Sequence, residues 1–201
     1  PTGEKHQKLV LTPEKENIAY SVNTNVSYNA IGCVYKKVSG VLRVAKQIVT
    51  SEYIWDNIRL KGGAYGGGCG FLNGNYFYMY SYRDPNVNKS YEVFKNVGNY
   101  LSEIDMDQKH LNRFIIGAVN VEDAPLKNNR INSIVLRRHY NGVTQERLDL
   151  RREEMLSVSI NDIREVGQEL TTAMENIVMS TVSDQTSIEK SELFKNIIVV
   201  K

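Results

Sequence analysis

Cysteine is scarce. The 201-residue chain has two, Cys33 and Cys69, too few for a disulfide framework or a four-thiolate zinc site. The expectation is two reduced thiols in an intracellular compartment. Histidine is also sparse. The three present are His6, His110 and His139, and they fall in neither H-x-x-E-H nor H-E-x-x-H, the spacings that set two imidazoles around one zinc ion. No apolar run approaches the roughly 18 residues that span a bilayer, so no membrane partner is expected. An excess of one charge sign is missing too. Against 25 basic side chains stand 23 acidic ones, a net +2, and that total calls for no nucleic-acid partner. The phosphate loop G-x-x-x-x-G-K-[ST], the dinucleotide motif G-x-G-x-x-G and the nucleophile elbow G-x-S-x-G are all absent.

What is present suits a folded domain. Hydrophobic residues make up 41% and charged residues 24%, a balance that can bury a core and argues against wholesale disorder. Residues 1–15 are polar and read as a linker or tail. The start, Pro1-Thr2-Gly3-Glu4, resembles neither a signal peptide nor a native beginning, so the expectation is a segment of a longer chain. Residues 16–201 read as one domain. Within it, Asn17 to Tyr35 is rich in β-branched and aromatic residues and predicts one long or two short strands. Val41, Val44, Ala45, Ile48, Val49, Trp55 and Ile58 form a stripe at helical spacing, ended by Gly62-Gly63. This stripe predicts a helix to about Arg59, with Trp55 in or near the core.

Phe71 and Leu72 close a short strand, and Asn73-Gly74 predicts a hairpin turn. In the strand that follows, Tyr76, Tyr78, Tyr80 and Tyr82 share one face, opposite Phe77, Met79 and Ser81. Asp84-Pro85 ends that strand and opens a helix to about Ile104. Helices are then expected over Asp107–Val121, Asn129–Tyr140, Thr144–Leu156 and Ser159–Asn176, the last with a Ser159-x-x-Asp162 capping box. A strand over Ile177–Val182, a short helix over Ser187–Phe194 and an edge strand from Ile197 to Val200 complete the pattern. The fold class is α+β: an antiparallel sheet with helices packed on one face.

Seven of the fourteen glycines lie between Gly62 and Gly74, a density that marks unusual backbone angles or a close approach. Arg59 and Tyr65 flank the Gly62-Gly63 pair. Six residues apart, they would diverge on a continuous helix, but a break at the glycines can bring both heads together. A guanidinium fork and a phenol suit donation to carbonyl oxygens, including a developing oxyanion. In the packing alternative, Arg59 caps the helix C-terminus and Tyr65 is a packed strand aromatic. A further reading is RNA binding. Lys61-Gly62 with Ala64-Tyr65 is faintly similar to an aromatic RNA-recognition strand, and the tyrosine ladder could stack bases. Glycines stand where that pattern wants aromatics, and the charge is balanced.

The run from Ser51 through Tyr65-Gly66, Ser-Glu-Tyr-Ile-Trp-Asp-Asn-Ile-Arg-Leu-Lys-Gly-Gly-Ala-Tyr-Gly, resembles the C-terminal region of the pitrilysin/insulinase-type (M16) zinc peptidases. The resemblance is to their presequence-protease subgroup, which includes falcilysin. Ser81-Tyr82-Arg83-Asp84-Pro85-Asn86 is a second match, and the helix-rich tail with Ile115-Ile116-Gly117 and Thr144-Gln145-Glu146-Arg147 is a third. The resemblance runs from about Asn17 onward. It implies the last of four similar α+β domains in a clam-shaped peptidase that degrades unfolded peptides in a closed chamber. The zinc and its H-x-x-E-H ligands would sit in the N-terminal half of the same polypeptide, and this chain would supply no metal ligand. Arg59 and Tyr65 match the family's Arg…Tyr pair. By that match Tyr65 hydrogen-bonds the scissile carbonyl and Arg59 holds the peptide backbone, with Gly62 and Gly63 beside the substrate. The setting implied is an organelle matrix (mitochondrion, plastid or parasite organelle) or a bacterial cytoplasm. An inactive structural or peptide-binding subunit of the same family is the alternative.

The chain alone is expected to bind no stoichiometric zinc, because its histidines are too few and wrongly spaced. Metal analysis of the purified chain checks this, and one tightly held zinc per chain would overturn the placement.

Overall fold

The structure, a computed structural model, describes residues 16–35, 39–72 and 76–200. The tail at 1–15 and the Asn73-Gly74 turn therefore lie outside the described residues. The first β-rich stretch divides into β1 (Ile18–Ser21) and β2 (Ser27–Val34). A helix follows, α1 (Gly40–Ile48), and runs on as a π-helix over Val49–Leu60. Its core-facing residues are Leu42, Val44, Ala45, Ile48, Val49, Tyr53, Ile54 and Ile58. Trp55 departs from the expected stripe and is 44% exposed. The wider π turn advances the buried face by four to five residues, so Tyr53, Ile54 and Ile58 take the inner positions and Trp55 turns outward.

The remaining strands are β3 (Gly66–Leu72), β4 (Tyr76–Asp84), β5 (Ile177–Ser183) and β6 (Asn196–Val199). They join one sheet in the order β3-β4-β2-β5-β1-β6. Pairing is antiparallel from β3 across to β5, while β1 lies parallel to both β5 and β6. The two parallel pairings have a topological cause. A helix, α8 (Gln185–Ser191), links β5 to β6, and such a crossover returns the chain in the same direction with β1 between the two strands. The α+β class stands, and the sheet is mixed at this end.

One face of the sheet carries the core. Ile31, Cys33, Phe77, Met79 and Met179 are buried there, whereas Tyr28, Val34, Tyr76, Tyr80, Tyr82 and Val178 on the other face are exposed. Burial pushes both thiols, Cys33 and Cys69, up to about 11, which keeps them protonated and poorly nucleophilic.

The helix expected from Asp84 to Ile104 is two, α2 (Asn88–Lys95) and α3 (Val97–Ser102). The break at Asn96 re-aims α3 against α7 (Ile160–Ala173). Between them come α4 (Gln108–Glu122), α5 (Asn128–Tyr140) and α6 (Gln145–Leu156). The Ser159–Asp162 capping box forms as the sequence predicts. Helices α3 and α7 approach through two glycines. A Cβ on Gly167 would lie 2.2 Å from Ser102 N, and one on Gly98 would lie 2.5 Å from Thr171 N.

Gly167→Ala should therefore force the two helices apart, at about 1–3 kcal/mol for overpacking. A thermal melt should show a midpoint several degrees lower, and an unchanged midpoint would contradict this packing.

Candidate functional site

Arg59 lies on the last turn of the π-helix. Gly63 then takes a left-handed φ of +79°, which a Cβ would penalise and glycine adopts freely. Gly63 N donates to Arg59 O at 3.0 Å, and Ala64 N donates to Ile58 O at 3.1 Å. The second bond folds residue 64 back beside residue 58, so Arg59 and Tyr65 leave neighbouring points of the backbone. Gly62 is required as well, because a Cβ there would meet Ile58 O at 2.5 Å.

A second layer holds this turn. Asn86 Nδ2 donates to Gly62 O at 2.6 Å, and Tyr65 N donates to Arg83 O at 3.3 Å. Arg83 lies at the end of β4, where the strand bulges, and Asn86 lies two residues past that end. Between the pairs Asn29↔Ser81 and Ser27↔Asp84, β4 advances three residues while β2 advances two. Arg83 absorbs the extra residue with a left-handed φ of 49°, at a cost of about 1–2 kcal/mol for a non-glycine. Strict alternation after Phe77, Met79 and Ser81 would have turned Arg83 into the core. The bulge turns it out and sends Asp84 in.

Asp84 is 0% exposed. Its carboxylate accepts from Ser90 Oγ at 2.5 Å, from Asn86 N at 2.9 Å and from Asn29 Nδ2 at 3.3 Å. Asn29 also donates to Asn86 O at 2.8 Å and accepts from Thr181 Oγ1 at 2.7 Å. The corner Arg83–Asn86 is thus tied to β2, β5 and α2 at once.

On the surface of this scaffold Arg59 is the basic residue of the last helical turn, as the packing alternative has it, whereas Tyr65 is not a packed strand aromatic. The Arg59 guanidinium stands 4.1 Å over the Trp55 ring, a cation–π contact of about 0.5–1 kcal/mol at an exposed site. Tyr65 precedes β3 and is 68% exposed. Its ring meets Tyr82 edge-on at 5.9 Å, and Tyr82 meets Tyr28 at 5.3 Å. The Arg83 guanidinium carbon lies 6.0 Å from the Tyr65 ring centre. Tyr65 and Arg83 are thus neighbouring exposed donors, and Arg59 is an exposed donor on the adjoining helix end; such groups suit carbonyl and carboxylate oxygens.

Glycines further along β3 serve the sheet. A Cβ on Gly68 would touch Tyr80 Oη at 2.9 Å, and one on Gly70 would touch Tyr78 Oη at 2.6 Å. Each tyrosine lies across the glycine opposite it in the register. Gly66 is open, with nothing within 4 Å of a built Cβ.

Sequence reasoning did not single out Arg83, Asp84 or Asn86 as site residues, nor Trp55 as a platform. The Asp84-Pro85-Asn86 turn signal was legible, since an Asx side chain bonding the backbone two residues on is a common turn device. The bulge that re-aims Arg83 was not. Among the described residues, no group of three or more His, Cys, Asp or Glu is placed to hold a metal. His110 Nε2 is paired with Glu52 Oε1 at 2.7 Å, so this chain's described residues do not fit a zinc ion.

Residues 17–184 match the family described as the PreP C-terminal domain. Among curated relatives, "Presequence protease 1, chloroplastic/mitochondrial" of Arabidopsis thaliana is 32% identical over 190 residues, 89% of this chain and 18% of the relative. "Protein HypA" of Clostridium perfringens is 30% identical over 188 residues, 91% of this chain and 19% of the relative. The chain thus spans about a fifth of the length of these relatives. Among solved structures, a peptidase M16 inactive domain from Pseudomonas fluorescens superposes with a TM-score of 0.63 at 11% identity, over 85% of this chain and 44% of that one. At that identity the likeness speaks for the fold.

The two ends of the glycine segment should respond differently to alanine. Gly62→Ala should clash with Ile58 O, lower the melting midpoint by several degrees, and red-shift the fluorescence of Trp55, the sole tryptophan. Gly66→Ala should leave both unchanged, and equal effects at the two positions would refute the assigned turn.

Proposed function

The chain belongs to the family of PreP C-terminal domains, and on that footing we propose that it is the last domain of a zinc-dependent oligopeptidase. Such an enzyme degrades unfolded peptides in a closed chamber. Zinc in this proposal is held by the N-terminal half of the same polypeptide, and this domain supplies donors to the peptide. The observation that carries the reading is the Gly62–Gly63 turn, which presents Arg59 and Tyr65 from adjacent backbone on an exposed surface. The names of the longer relatives support the reaction class. They also support an organelle matrix in a eukaryote; a bacterial cytoplasm is the counterpart. Among the described residues, no helix is long and apolar enough to cross a membrane.

The chemistry asked of this chain is modest and specific. Addition of a nucleophile to a peptide carbonyl builds negative charge on its oxygen. A phenol already held in place can donate to that oxygen more strongly in the transition state than in the ground state. Tyr65 has the exposure to reach a bound peptide, and its backbone is fixed by the Arg83 carbonyl. Arg59, steadied on Trp55, holds a neighbouring backbone oxygen and so sets the register of the peptide. Zinc supplies Lewis acidity and the activated water when the complete enzyme holds it.

Tyr65→Phe in the complete enzyme should lower kcat about 10²–10³-fold, the loss typical of one oxyanion donor, with KM little changed. The melting midpoint should also be unchanged. Arg59→Lys should raise KM, since the ammonium lacks the planar fork. Steady-state kinetics on a peptide substrate decides. Parental kcat in a well-folded Tyr65→Phe enzyme would defeat the proposal.

A further inference from the structure

Arg83 is the residue on this surface whose position costs the fold something and returns it no contact in the core. Its left-handed φ of 49° is a conformation that glycine would take freely. The bulge that requires this angle also turns the side chain out of the core, to the exposed side that carries Tyr82. Among the described residues its guanidinium makes no ion pair. What it faces is the Tyr65 ring, 6.0 Å away. Strain held at a surface position beside a binding group points to a use outside the chain, and a bulge is a common means of aiming such a side chain.

We infer that Arg83 is a third peptide-binding residue, which donates to a carbonyl or carboxylate oxygen of an extended peptide beside the carbonyl that Tyr65 contacts. The inference rests on the peptide-hydrolase reading above. Its chemistry follows from the group itself. A guanidinium with no ion pair among the described residues has its planar fork available, and that fork matches an oxygen acceptor. The edge-to-face series Tyr65, Tyr82 and Tyr28 continues from the same point along the open sheet face, an apolar bed for the peptide's side chains.

The test uses the complete enzyme with Arg83→Gly and Arg83→Lys, and with paired fluorogenic peptides carrying Glu or Gln on each side of the cleaved bond. Glycine relieves the backbone angle, so the melting midpoint of Arg83→Gly should match or exceed the parent. Its KM should rise roughly 5- to 30-fold, the loss of one charge-assisted hydrogen bond, and Arg83→Lys should recover part of the difference. An equal rise for Glu and Gln peptides assigns a backbone carbonyl, and a rise confined to Glu peptides assigns a carboxylate; either supports the inference. Unchanged KM for all peptides in a folded Arg83→Gly enzyme overturns it. Tyr65→Phe run alongside separates the two claims. If that variant is slow while Arg83→Gly is normal, the role of Arg83 fails alone. If Tyr65→Phe retains full kcat, the reading of the site fails first.

Discussion

A carboxylate shut away from water organises this domain. Asp84 is completely buried, and a buried polar group is tolerated only where hydrogen bonds replace its hydration. The donors that do so come from Asn29 on β2, Ser90 on α2 and the backbone of Asn86. Satisfying Asp84 therefore fixes three elements relative to one another. Asn86, held in that way, is free to reach Gly62 with its own amide. The turn that carries Arg59 and Tyr65 is thus anchored through one intermediate residue to the sheet. Removing one partner of such a network leaves the others unsatisfied, at about 1–3 kcal/mol per orphaned group.

The sheet divides two kinds of work between its faces. On the inner face, apolar side chains from β2, β4 and β5 meet the helices and supply the burial that keeps the domain folded. On the outer face, tyrosines lie exposed or half-buried, with Tyr78 and Tyr80 flattened across Gly70 and Gly68. The glycines of β3 thus leave room for aromatic rings at an edge strand. That accounts for much of a segment whose composition first suggests a loop shaped around a ligand. Gly67 instead lies against Ile54, Ile58 and the Tyr80 backbone, while Gly66 has open space beside it.

Winding the second half of the long helix as a π-helix has a consequence for the surface. It buries Tyr53 and Ile54 and turns Trp55 outward, where the ring lies beneath Arg59. Tyr53 is held inside by donation to Val93 O at 2.7 Å, and burial pushes its phenol up to about 12. The same change of phase therefore serves the core and steadies a guanidinium at the site. Rigid elements placing a few exposed donors is a common plan for binding and catalytic sites.

Much of this was legible in the residues themselves, because it depends on local rules. The Ser159–Asp162 cap, the helix stop at Gly62-Gly63, the alternating face of Tyr76 to Tyr82 and the edge strand at the C-terminal end follow from period, propensity and turn chemistry. The pair Arg59 and Tyr65 stood out through its flanking glycines. What the residues could not show depends on partners distant in sequence. Strict alternation sends Arg83 inward, and only the register against β2 reveals the bulge that reverses it and buries Asp84. A helical period of 3.6 places Trp55 in the core, and only the packing of Tyr53 on Tyr100 and of Ile54 beside Gly67 of β3 shows why the wider turn is taken. Helix α3 breaks from α2 because Gly98 must meet α7 some seventy residues later. Local sequence determined which elements form and where they stop. Tertiary contacts decided which way their side chains face, because burial is a property of the assembled molecule and is not held by any one segment.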